Sequence, residues 1–173
     1  MKSTALLLGF VISTIFTGCL ALKQGVGTEE AGTRELGTGF LPNAEASKVV
    51  SVTTAGPASA VVVVQTHAVA VKESGPKETV ARFGEVYAFS PSVIVVHRDE
   101  PTRIRFWNLQ PDDDHDFLLN DPQSNALMHV MLPPLKETSF VFTFHEEGLF
   151  DFMCTIHYPA MNGQILVLPP RPQ

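Results

Sequence analysis

From residue 60 onward, apolar and polar positions change over in short runs, and no long stretch carries an amphipathic helical period. Candidate strands fall at 60–71, 80–88, 92–97, 102–108, 115–119, 126–131, 138–144, 149–154 and 163–168. Turn formers punctuate them at Gly75-Pro76, Ser90-Pro91, Asp112 to Asp114, Pro133-Pro134 and Glu146 to Gly148. Many short strands at turn-limited spacing predict an all-β domain, a Greek-key β-sandwich over residues 58–173. Successive side chains of a strand point to opposite faces, so Phe150, Phe152 and Cys154 share one face while Leu149, Asp151 and Met153 share the other. Asp151 marks the wet face. Ile104 and Phe106 alternate inward in the same way.

Upstream the pattern dissolves. The stretch up to Pro57 is rich in Gly, Thr, Ala and Glu and has no sustained period of either kind. Such a segment buries too little apolar surface to offset its ordering entropy, so residues 19–57 are expected to form a flexible tether. Residues 1–18 read as an export signal: Lys2 supplies a short positive region, and the apolar run 5–16 is too short to span a bilayer comfortably. The run ends in "FTGC", and Thr17 and Gly18 before Cys19 resemble the lipobox of bacterial lipoproteins, in which the cysteine is lipidated. The alternative is an ordinary signal peptide cut near Ala21, with Cys19 discarded. Leu20 lacks the Asp associated with inner-membrane retention. The expected location is therefore the periplasm or cell surface, with a membrane anchor.

Composition narrows the function. The 173-residue chain is 45% hydrophobic, enough for one good core, and its formal charge of −6 argues against nucleic acid as partner. Beyond Cys19 the only cysteine is Cys154, so an exported domain holds no internal disulfide. An unpaired thiol outside the cytoplasm is liable to oxidation unless something occupies it, and a metal is the simplest occupant.

Cys154 emerges at the end of its strand, on the core side, with His157 and Met161 following in the loop. A thiolate and two imidazoles in a plane, with a weak thioether above, make the trigonal site that suits copper in electron transfer. The missing imidazole must come from another strand. His115 is the best candidate, since "IRFWNLQPDDDHDF" reads as a strand, a turn, and a His leading into the next strand. Met161 is taken as the thioether, the plainer alternative being a loop hydrophobe. His67 and His97 fall in strand patterns and His145 at a turn; none has an evident metal-binding partner. His129, between Met128 and Met131, suggests a second copper site, but a place in an alternating strand is the preferred reading.

At these residues the chain resembles the cupredoxins, small blue-copper proteins of the amicyanin, plastocyanin and pseudoazurin kind. Their carboxyl-terminal motif G-x-[YF]-x-[YF]-x-C-x-x-H-x-x-x-M-x-G stands here as "GLFDFMCTIHYPAMNG". Their upstream half is met by "FSPSVIVV" and "FWNLQPDDDHDF". The resemblance covers about residues 78–169. It implies one type 1 copper held by His115, Cys154, His157 and Met161, and an electron carrier rather than an enzyme. Loop length from His157 to Met161 is intermediate between amicyanins and plastocyanins. Asp116 replaces the Asn that ties the two ligand loops together in azurins and plastocyanins; a carboxylate cannot donate a hydrogen bond at neutral pH, although its backbone N–H can. Ile156 stands where several relatives have proline, so its free N–H is expected to donate to the Cys154 sulfur and raise the potential.

The same resemblance makes His157 the electron exit, opening on an apolar patch of Tyr158, Pro159, Ala160 and Met161. A redox protein such as a c-type cytochrome, a reductase or an oxidase is expected to dock there, steered by Asp112, Asp113, Asp114 and Asp116 if it is basic. The alternative function is copper storage or delivery, assisted by Met128, His129 and Met131. A binuclear copper centre needs two cysteines in the loop, and only Cys154 is present. Zinc at Cys/His₂ lacks the fourth strong ligand usual in structural sites.

Overall fold

The computed structural model describes residues 39–172. Two five-stranded sheets face one another. The first has the order β1-β8-β5-β2-β3 and the second β4-β10-β9-β6-β7. In chain order the strands are β1 (Val50–Thr53), β2 (Ala60–Ala70), β3 (Val86–Ser90), β4 (Val93–His97), β5 (Thr102–Trp107), β6 (His115–Asn120), β7 (Ala126–Leu132), β8 (Glu137–Phe144), β9 (Gly148–Met153) and β10 (Asn162–Leu168). Most pairs are antiparallel, but β2 runs parallel to β5 and β4 parallel to β10. The predicted sandwich is the observed one.

The alternation read from the sequence is realised in burial. Ile104, Phe106, Phe150, Phe152 and Cys154 point into the gap between the sheets, while Leu149 and Asp151 face out. Aromatic rings fill that gap: Phe117 contacts Phe106, Phe142 and Phe152, and Phe144 contacts Phe142 and Phe150. Each such side chain contributes about 1.5–3 kcal/mol by leaving water.

Two expectations change. The expected strand over 80–88 begins instead as a helix, α1 (Lys77–Phe83), and the strand starts only at Val86. Pro76 precedes the helix and Gly84, at φ 77°, ends it in the left-handed region that glycine tolerates. Glu78 in the first turn and Arg82 in the last suit the helix dipole.

The folded unit also begins well before residue 58. Phe40 pairs through its backbone with His129 on the edge of β7, and β1 pairs with β8 on the other sheet. Residues 39–53 therefore strap one sheet to the other and belong to the domain rather than to the tether. Fully buried Val50, with Val49 and Val52 packed on the core, supplies the apolar surface that holds this strap. The signal 1–18, with Cys19, and the tether up to 38 lie outside the described residues.

Candidate metal centre

Strand pairing explains why His115 meets Cys154. β6 and β9 are antiparallel neighbours with Leu118 opposite Met153, so β6 begins where β9 ends. His115 opens β6 and Cys154 follows the last residue of β9, at the same end of the sandwich. The loop 154–161 then closes on itself. The Cys154 N–H donates to the Met161 carbonyl at 2.9 Å and the Met161 N–H to the His157 carbonyl at 3.1 Å. Gly163 anchors the far side: a Cβ there would lie 2.4 Å from the Ser92 carbonyl oxygen and 2.3 Å from the Phe152 ring.

Three donor atoms converge. His115 Nδ1 lies 3.1 Å from His157 Nδ1 and 3.9 Å from Cys154 Sγ, and His157 Nδ1 lies 3.6 Å from that sulfur. A circle through the three atoms has a radius of about 2.1 Å, within the range of about 2.0–2.3 Å for metal–imidazole and metal–thiolate bonds. The donor set and its spacing fit one metal ion. Cys154 and His115 are fully buried, and His157 is half-buried. Met161 is fully buried in the core at the end of the same loop.

The His115 ring is oriented from behind. Its Nε2 lies 3.2 Å from Gln110 Oε1, which accepts the proton there and leaves Nδ1 bare toward the sulfur. Gln110 also receives the Thr66 hydroxyl. Buried Asn108 organises this turn, its side-chain amide donating to the carbonyls of Asp113 and Leu132 at 2.8 Å each. Tyr87 packs against both ligand rings, with centroids 4.9 Å from His115 and 4.5 Å from His157, and its hydroxyl donates to Asp113 at 2.5 Å.

Without a metal this cleft favours neutral groups. Burial, reinforced by the neighbouring His157, pulls the His115 imidazole down from 6.5 to about 4, against the opposing pull of Asp113, Asp116 and Asp114. Burial likewise lowers His157. The Cys154 thiol is pushed up from 9.0 to about 11 by burial and the charge of Asp116, while the backbone N–H groups of Asp116, His157 and Ile156 favour the thiolate.

Other expectations are revised. Asp116 ties the ligand loops by accepting: Thr155 donates its N–H to Oδ1 at 2.5 Å and its hydroxyl to Oδ2. It is buried, so it is not part of a steering surface. Asp113 is half-buried and held by Tyr87, which leaves Asp112 and Asp114 exposed. The surface beside His157 contains Phe83, Glu85, Val86, Ile156, Tyr158, Pro159 and Ala160; Met161 is absent from it because its side chain is drawn into the core. His129 faces Asp116 Oδ2 at 2.9 Å rather than a second metal. His145 lies between Ser51 and Asp99, and His97 faces the Pro169 carbonyl. Gln110 and Tyr87 carried no signal in the sequence: Gln110 meets the His115 ring only through the way the loop between β5 and β6 folds, and Tyr87 comes to both rings from β3, far away in the chain.

No protein-family model matches the chain, and no curated protein matches it. Among solved structures, auracyanin B superposes with a TM-score of 0.51 at 17% identity, covering 70% of this chain and 99% of that one. This chain has a cupredoxin-like fold. Auracyanin A, described as a "blue" copper protein from Chloroflexus aurantiacus, gives a TM-score of 0.45 at 16% identity over 62% of this chain and 98% of that one. Amicyanin from Paracoccus versutus gives 0.43 at 20% identity over 69% and 97%. On this cupredoxin-like sandwich, the cluster of His115, Cys154 and His157 has the donors of a type 1 copper site.

Proposed function

We propose that this protein is a blue-copper electron carrier. The observation that carries the reading is the triangle of one sulfur and two imidazole nitrogens, all within 4.8 Å of one another. Copper bound there would supply a Cu(II)/Cu(I) couple that takes up and gives back single electrons. The chain's own part is to hold the donors still. β6 and β9 fix His115 and Cys154, the closed loop fixes His157, and Gln110 fixes the tautomer of His115. Burial keeps water from the sulfur, and Met161, buried at the end of the same loop, would offer the ion a thioether. His157 reaches the exposed apolar surface of Phe83, Ile156 and Tyr158, which makes it the route by which electrons leave.

A redox protein such as a c-type cytochrome, a reductase or an oxidase would dock on that surface, with exposed Asp112 and Asp114 favouring a basic one. We place the protein outside the cytoplasm, held to a membrane through a lipid on Cys19. Among the described residues no helix is long and apolar enough to cross a membrane. Storage or delivery of copper gains no support, since Met128 and His129 are buried and His129 is bonded to Asp116.

The test is the absorption spectrum of the oxidised, copper-loaded protein. An intense thiolate-to-copper band at roughly 600 nm is expected, absent in Cys154→Ser. A dominant band much further to the blue, or rapid loss of copper to a chelator, would overturn the reading.

A further inference from the structure

We propose that His129 is a positioning residue for the metal centre: through the Asp116 carboxylate it holds the Cys154 loop against the strand that carries His115. The inference deepens the copper reading above and rests on it for the identity of the metal.

Asp116 is 2% exposed and His129 1%. A carboxylate only accepts, and a buried one is tolerated when donors surround it. Here three do: the N–H and hydroxyl of Thr155, and Nε2 of His129 at 2.9 Å. Thr155 directly follows Cys154, and Asp116 directly follows His115. The Asp116 carboxylate is thus the joint between the two ligand-bearing segments. Removing the His129 donor leaves Oδ2 facing the Thr155 hydroxyl.

His129 is itself held from outside. Phe40 pairs with its backbone in both directions, at 2.7 Å and 2.9 Å, and lays its ring 6.3 Å from the imidazole. Gly39 allows that approach, because a Cβ there would lie 2.8 Å from the His129 carbonyl oxygen. A continuous path of contacts runs from the strap through His129, Asp116 and Thr155 to Cys154. An apolar core residue at 129 would fill the same space but leave the joint one donor short.

The experiment compares His129→Leu, which removes the donor, with His129→Gln, whose amide retains one, in the full chain. In the metal-free protein, hydrogen exchange of the Thr155 amide is expected to quicken about tenfold in the Leu variant and to return near wild type in the Gln variant. The Ile165 amide, midway along β10 in the same sheet, should not respond. With copper added, the Leu variant should shift the thiolate-to-copper band and the potential, and the Gln variant should restore both. Unchanged Thr155 exchange, equal quickening at Ile165, or a Gln variant that behaves as the Leu variant would overturn the proposal. Should the Leu variant fail to fold, His129→Asn replaces it, its amide remaining polar but too short to reach Asp116. A wild-type protein with no thiolate-to-copper band would refute the copper reading, whereas Thr155 exchange in the metal-free protein decides the positioning claim independently.

Discussion

Acid should destabilise the metal-free protein in a window set by His115. In the fold its imidazole titrates at about 4, chiefly because burial disfavours the charged ring, whereas in the unfolded chain it titrates near 6.5. Between these values the unfolded chain binds the extra proton. Stability therefore rises with pH across the window: the contribution is complete above 6.5, falls as pH drops toward 4, and is exhausted below it. At about 1.4 kcal/mol per pH unit the distance corresponds to an upper value of roughly 3 kcal/mol, and about 2 kcal/mol is expected once residual solvation of the cleft is allowed for. Urea melts of chelator-treated protein at several pH values across the window measure it. His115→Asn provides the reference, since Asn does not titrate and acid losses from other groups, such as Glu137 held low by Arg105, are common to both proteins. The difference between the two should shrink by that amount as pH falls to about 4. A difference independent of pH would refute the argument that burial holds the ring neutral.

Two further outcomes follow from the loop and its anchor. Ile156→Pro removes a backbone N–H that favours charge on the Cys154 sulfur, so voltammetry of the copper form should show a lower potential, by roughly 40 mV if a bond to the sulfur favours the reduced state by about 1 kcal/mol. An unchanged or raised potential would count against that bond. Gly163→Ala forces a methyl group against the Ser92 carbonyl and the Phe152 ring, and thermal melting should show a loss of about 1–3 kcal/mol; a variant as stable as the parent would mean that β4 and β10 separate more easily than their packing suggests.

The alternation along β2 to β10 and the spacing of Cys154, His157 and Met161 were legible in the sequence because both are local. Strand period sets which side chains face the core, and a tight loop after Cys154 brings His157 to its sulfur with little help from elsewhere. His115 could be named as the second imidazole, but its 3.9 Å approach to the sulfur depends on β6 and β9 pairing with Leu118 opposite Met153. The strap 39–53 escaped notice because its four-residue strand is apolar only in company with β8 and the core, which a single short run does not announce. Tyr87 against both rings and His129 against Asp116 are likewise meetings of residues from separate strands, and Gln110 comes behind His115 only through the fold of the loop that joins β5 to β6. The chain alone determined which donors are present and which way each strand faces. Tertiary pairing decided which donors meet, what orients them and which are withdrawn from solvent, since these depend on registers that no local pattern encodes.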